Sequence, residues 1–289
     1  MRYGSILVVA DGREGTQAVA RTAMDLGTVF QCHVEWLHVR QSLAEGRTIA
    51  AGSMGPAAVW EPLVLGDDGE ADARAERARS LFKQLCEDPG LAIDVKEIPP
   101  CDRLTASFRE LEGFEPDLVE SEGRLVDLIV VSKPGRDGES GSSASLHAAI
   151  LGTGRPVLVL APQGRRAMPT TAAIAWDGSK QAARAVTAAL PLLLRADKVV
   201  VITGLVNEDV SNPSRLVRYL SGHGVEARTW AFVPQEGSLG RDILDQSTEA
   251  EAELLVMGAY SRGRLRELVL GGVTRECLRH GEIPMLVNH

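Results

Sequence analysis

Short apolar runs recur along the chain, and each stops at a glycine, an aspartate or a serine. Ser5-Ile-Leu-Val-Val-Ala10 ends at Asp11-Gly12, and Ala173-Ile-Ala-Trp176 ends at Asp177-Gly178-Ser179. Continuous runs of this length, bounded by turn residues, predict buried parallel strands. The segments that follow change period. Ala18, Ala20, Ala23, Met24 and Leu26 in one, and Ala182, Ala185, Val186, Ala189, Leu190 and Leu193 in the other, fall on one helical face. Second strands are predicted over Val34–Val39 and Val199–Thr203. Each half closes with two strands around a helix: Leu128–Val131 and Pro156–Leu160 in the first, Leu254–Met257 and Met285–Val287, entered through Pro284, in the second.

These correspondences make the chain a tandem duplication with a period of about 170 residues. Strands separated by helices pair in parallel through right-handed crossovers, which predicts an α/β class with a doubly wound sheet in each half. The turn-rich connector Pro162-Gln-Gly-Arg-Arg-Ala-Met-Pro169 divides the chain into domains 1–164 and 170–289. The first half also carries an insertion, about 41–72, broken by Gly46, Gly52, Gly55, Pro56, Pro62, Gly66 and Gly69 and expected to be a long loop. Either a variable surface excursion or a lid anchored by Trp60, Leu63 and Val64 fits it. A helix is predicted over Ala71–Cys86.

Composition narrows the classes. No window approaches ~18 consecutive apolar residues and no signal peptide is read at Met1-Arg-Tyr-Gly, so the expectation is a cytoplasmic protein with no membrane partner. Four cysteines, Cys32, Cys86, Cys101 and Cys277, lack the pairing of a zinc site or disulfide framework and read as buried thiols. Up to Arg165 there are 17 basic and 25 acidic residues, and 14 of each afterwards, so the net charge of −8 lies in the first half. An acidic chain without interleaved aromatic and basic residues is not a nucleic-acid binder.

The densest chemistry follows the strand Leu254–Met257. Gly258, Ser261, a basic stretch with Arg262, Arg264 and Arg266, then Gly271, Gly272 and Thr274 lead into a helix over about Val273–His280. Glycines there let backbone N–H groups approach a ligand, and a helix N-terminus favours an anion. This stretch resembles the nucleotide loop of the universal stress protein family: Gly, two residues, Gly, nine residues, Gly, then Ser or Thr. Gly258 and Gly271 match. Ser261 stands at the second glycine, and Gly272 at the hydroxyl position, with Thr274 two residues on to supply a hydroxyl.

The resemblance implies two five-stranded parallel sheets of order 3-2-1-4-5, adenine nucleotide alpha hydrolase-like in fold and packed as an internal pseudo-dimer through the last strand of each repeat, with a further homodimer left open. In such a sheet the ligand crevice lies between strands 1 and 4. The resemblance therefore brings Asp177 and Gly258 together and adds Ala175 and Gly204 as backbone contacts to a base. Asp177 has an equally good reading as part of a helix cap with Ser179. The cofactor so implied is ATP or a related adenine nucleotide, held by Ala175, Asp177, Gly204, Gly258, Ser261, Arg262, Gly271, Gly272 and Thr274.

The first half keeps Asp11 but not the loop spacing, and Asp137 and Glu139 put like charge where phosphate would lie. It is read as degenerate and structural. No phosphate-loop, dinucleotide or nucleophile-elbow motif occurs, His33 and His38 fall on opposite faces of a strand, and His147 and His280 lie late in equivalent helices, so no catalytic or metal-ligating residue is assigned. Two classes remain: a stress-response regulator that binds nucleotide in its second half and acts on unidentified protein partners, or a nucleotide-independent interaction or scaffold protein. A slow nucleotide hydrolase or transferase stands third.

Overall fold

The computed structural model describes residues 2–13, 15–40, 68–88, 91–94, 100, 102–134, 143–161, 168–205, 212–235, 239–259 and 272–289. Tyr3–Arg155 forms one compact unit, and Pro156–Ala161 joins the C-terminal half, to His289, in the other. The first unit contains β1 (Ser5–Val9), α1 (Thr16–Phe30), β2 (His33–Arg40), α2 (Asp68–Leu85), β3 (Ala92–Ile93), β4 (Thr105–Glu112), α3 (Glu115–Gly123), β5 (Leu128–Ser132) and α4 (Ser143–Gly152). The second contains β6 (Val157–Leu160), β7 (Thr171–Ala175), α5 (Lys180–Leu193), β8 (Lys198–Gly204), α6 (Pro213–Gly222), β9 (Ala227–Phe232), α7 (Leu239–Glu249), β10 (Leu254–Gly258), α8 (Gly272–His280) and β11 (Met285–Asn288).

In the second unit the strands run β9-β8-β7-β10-β11, the expected 3-2-1-4-5 order, with every pair parallel. The first unit repeats it as β4-β2-β1-β5, with the two-residue β3 added outside β4. The runs that predicted strands 1, 2 and 4 are their buried centres: Ile6, Leu7, Leu128, Ile129, Ile174 and Leu255 are wholly excluded from solvent.

Strand 3 of each repeat, β4 and β9, was not legible. Both mix exposed polar and half-buried positions, as in Thr-Ala-Ser-Phe-Arg-Glu-Leu-Glu, and the exposed positions fall on both faces of the strand. The helix predicted over 71–86 begins at Asp68, so the last residues of the insertion are helical rather than loop. Alternating charge explains the early start: Glu70 pairs with Arg74 one turn on, and Asp72 reaches Arg40 at the end of β2. Residues 41–67, with Trp60, Leu63 and Val64, lie outside the described residues.

β6 ends the first repeat in sequence, and in space it is grouped with the second unit. There it pairs antiparallel with β11, Val159 opposite Met285, Leu158 opposite Leu286 and Val157 opposite Val287. The second unit's sheet therefore has six strands instead of five. Both partners are entirely apolar at the contact, and pairing them removes an exposed row of backbone donors and acceptors that β11 would otherwise present.

The two units share a device at the N-terminal ends of their central strands. Asp127, just before β5, accepts from the backbone N–H groups of Gly4 at 2.7 Å and Ser5 at 3.2 Å. Glu253, just before β10, accepts from the N–H of Thr170 at 2.7 Å and its hydroxyl at 2.9 Å. An acid at the entry of strand 4 thus fixes the entry of strand 1, and with it the register of the pair that defines the crevice.

Among the described residues no helix is long and apolar enough to cross a membrane, and no group of three His, Cys, Asp or Glu could hold a metal ion. His33 is buried between the hydroxyls of Thr105 at 2.8 Å and Ser107 at 3.0 Å, and burial lowers its pKa, so it ties β2 to β4 as a neutral ring. His38 donates from Nδ1 to the Ala10 carbonyl at 2.6 Å. Cys32, Cys86 and Cys277 are free and buried, with burial pushing the Cys86 thiol up to about 11 and that of Cys277 to about 12. Cys101 lies outside the described residues.

Leu286 is wholly buried between β6 and β10, so Leu286→Ala is expected to cost about 2–5 kcal/mol in urea unfolding, the range of buried leucine deletions. Leu125, 86% exposed, sets the comparison: Leu125→Ala should change stability by no more than about 0.5 kcal/mol.

Candidate functional site

The C-terminal ends of β8, β7 and β10 lie side by side in the second unit, at the strand-order reversal where sheets of this topology take their ligands. Ala175 pairs with Ile202 on one side and Met257 on the other, so Asp177 and Gly258, 81 residues apart in sequence, emerge from adjacent strands. After β7 the chain turns through Gly178 at φ +74°, a conformation that favours glycine. Asp177 Oδ1 accepts from the Ser179 N–H at 3.0 Å and shapes this turn, while Ser179 Oγ caps α5 by accepting from the Ala182 N–H at 3.1 Å. The capping function is therefore divided between the two residues.

Gly258 ends β10 directly against the first turn of α5. A Cβ built there would lie 2.5 Å from the Ala182 nitrogen and 2.7 Å from the Gln181 carbonyl carbon, so close helix packing by itself demands glycine. At Gly204 a Cβ would meet the Pro234 ring at 2.9 Å. Gly272, the first residue of α8, is different: it is exposed and has open space around a Cβ. Thr274 is only 3% exposed, so its hydroxyl is turned away from bulk solvent in the first turn of the helix. Ser261, Arg262 and Gly271, together with Arg264 and Arg266, lie outside the described residues.

Sequence reading missed two residues at this crevice. Trp176 and Thr203 each follow one partner of the in-register pair Ala175 and Ile202, and their Nε1 and Oγ1 atoms are buried with no hydrogen-bond partner among the described residues. A buried unpaired donor or hydroxyl costs on the order of 1–3 kcal/mol, and such groups in a native fold call for a ligand or bound water. No letter pattern marks them. A separate depression on α6, lined by Arg215, Arg218, Tyr219, Gly222 and His223, contains none of the predicted residues.

Residues 229–289, which include β10 and α8, match the model of the universal stress protein family. A curated relative, universal stress protein Slr1230 of Synechocystis sp. (strain ATCC 27184 / PCC 6803 / Kazusa), is 26% identical over 182 residues, 60% of this chain and 62% of the relative's length. The crystal structure of a universal stress protein from Archaeoglobus fulgidus DSM 4304 superposes with a TM-score of 0.69 at 16% identity, covering 98% of this chain and 95% of that one. The chain is thus similar to universal stress proteins, through the family model over residues 229–289 and through the fold along its length. A functionally unknown protein from Pseudomonas aeruginosa PAO1 has the same fold, with a TM-score of 0.53 at 15% identity over 99% of this chain and 92% of that one.

The first unit of the chain builds the same corner differently. Asp11 Oδ1 accepts from the Arg13 N–H at 3.0 Å, as Asp177 does from Ser179, and Gly12 has φ +69°. Yet Asp11 and Gly12 are buried, while Gly178 is exposed. Helix α2 covers this corner: a Cβ on Gly12 would lie 2.3 Å from the Arg74 carbonyl oxygen, and Arg77 Nε donates to the Gly12 carbonyl at 2.9 Å. Beneath it Glu115, 6% exposed, accepts a hydrogen bond from the Ser145 hydroxyl. Burial, and then the Asp11 charge, hold the Glu115 carboxyl above the usual carboxylate range.

Glycine substitutions distinguish packing from ligand access. Gly258→Ala should destabilise the fold by about 1–3 kcal/mol, because backbone must move, whereas Gly272→Ala should be neutral or stabilising by up to about 1 kcal/mol; thermal unfolding reads both. The Glu115 carboxyl makes a pH prediction of definite sign. Its raised folded-state pKa contributes stability below the unfolded carboxylate value, and that contribution is lost as pH rises through the folded one. Glu115→Gln keeps the acceptor for Ser145 and removes the titration. Urea midpoints of the variant and parent should coincide below about pH 4 and diverge in the variant's favour at neutral pH.

Proposed function

We propose that the chain is a stress-response regulator that binds ATP or a related adenine nucleotide in the crevice of its second unit and acts through protein partners. The observation that carries this reading is the orphan pair, Trp176 Nε1 and Thr203 Oγ1, buried at neighbouring strand ends where the fold leaves its ligand crevice. Asp177 and Ala175 adjoin them in sequence and register, and Gly204 and Gly258 lie at the ends of the flanking strands. The nine-residue site proposed from the resemblance, Ala175, Asp177, Gly204, Gly258, Ser261, Arg262, Gly271, Gly272 and Thr274, is retained with Trp176 and Thr203 added. No residue is assigned to catalysis.

A specific observation favours the second reading, a nucleotide-independent interaction protein of the same fold. Helix packing accounts for Gly258 without any ligand, and Ser261 and Gly272 depart from the family's nucleotide pattern. Mass spectrometry of small molecules released from the denatured, purified chain separates the two. An adenine nucleotide is the expected finding. In titration calorimetry with ATP, Thr203→Val and Asp177→Ala should each weaken binding by about tenfold, the value of one hydrogen bond in a buried setting. Unchanged affinity in both folded variants would move the site elsewhere, and no binding by the parent chain would leave the interaction protein.

A further inference from the structure

A buried carboxyl needs a reason. Glu115 opens α3, where an acid would ordinarily serve the helix N-terminus from a solvated position, but its side chain instead turns inward and takes the hydroxyl of Ser145 on another helix. Ser145 is the third residue of α4, as Thr274 is the third residue of α8, and both helices follow strand 4 of their repeat. Ser145 and Thr274 are therefore equivalent, and Glu115 engages the one hydroxyl of the first unit that corresponds to the proposed phosphate contact of the second.

The surroundings combine charges of both signs, and burial with the Asp11 charge outweighs the arginines in disfavouring the Glu115 anion. Asp11 lies close enough to Glu115 to act on its ionisation, and so do two arginines, Arg13 beside the Asp-Gly corner and Arg74 from α2. Asp11 is itself held by the Arg13 N–H at 3.0 Å and the Thr16 hydroxyl at 2.6 Å. Helix α2 seats its backbone on Gly12 from above.

We propose that Glu115 is the residue that closes the first unit's crevice to phosphate-bearing ligands, its carboxyl filling the space beneath α2 and occupying the Ser145 hydroxyl that a phosphate oxygen would use. Removing it leaves the Ser145 hydroxyl and the N-terminus of α4 as donors to a phosphate, with Arg13 and the Glu70-paired Arg74 set against the Asp11 charge. The asymmetry between the repeats then rests on one inward-turned side chain in addition to the different loop spacing. This assignment stands whether or not the second crevice takes nucleotide.

The trial uses the full chain and inorganic phosphate, read by calorimetry and by hydrogen exchange over residues 143–152. The parent should show no phosphate-dependent protection there. Glu115→Ala and Glu115→Ser should gain it and bind phosphate about tenfold more tightly than the parent, the value of recovering a charge-assisted hydrogen bond. Glu115→Gln, which keeps the space filled and the Ser145 bond made, should behave as the parent. The assignment is overturned if the parent already gains protection over 143–152, if folded Ala and Ser variants gain none, or if Gln gains as much as Ala. Because the readout is local to α4, a second crevice that binds nothing would refute the nucleotide reading and leave these outcomes unchanged.

Discussion

The pairing of strand 1 with strand 4 is the constraint on which the rest of each unit depends. In the second unit β7 lies against β10 with Ala175 opposite Met257, and this alone brings a turn that begins 81 residues before Gly258 into the same crevice. Glu253 holds one end of that pair through two hydrogen bonds to Thr170, and the close seat of α5 on Gly258 holds the other. A slip of one residue would turn every apolar side chain of β7 to the opposite face, so the register is enforced by the core as well as by the clamp. The first unit uses Asp127 on Gly4 and Ser5 for the same purpose.

Given that shared frame, the repeats part company at their mouths. Identical Asp-Gly corners end in different surroundings: one is sealed by the backbone of α2 and underlain by a carboxyl, the other is open at Gly178 and backed by unpaired polar atoms. The cost is borne differently too. Burial and the Asp11 charge make the Glu115 carboxyl easier to protonate, whereas the indole of Trp176 and the hydroxyl of Thr203 have no such relief and no partner among the described residues.

How much of this was legible in the sequence follows from what each feature depends on. Continuous apolar runs ending at glycine are local patterns, so strands 1, 2 and 4, their helices and the meeting of Asp177 with Gly258 could be read directly. Strands β4 and β9 were hidden because polar and exposed positions fall on both faces, as at the neighbouring Arg109 and Glu110 of β4, and blur the alternation. Gly258 read as a ligand glycine because sequence shows the absence of a side chain but not the helix that fills its place. Glu115, Trp176 and Thr203 matter for whom they touch or fail to touch, which is set by residues as distant as Ser145 and Asp11. One-dimensional spacing carries no trace of such relations.

The antiparallel seam between β6 and β11 imposes an order on synthesis. Val157–Leu160 is made well before its partner Met285–Asn288, with about 125 residues between them. At ~5–20 residues per second, this apolar strand waits on the order of ten seconds for the segment that covers it. Throughout that interval the nascent chain displays a strand that any other copy of β11 could satisfy equally well. Ribosomes spaced closely on one message would therefore bring complementary strands of different chains within reach, and the seam that completes the second unit is also where neighbouring molecules could exchange strands.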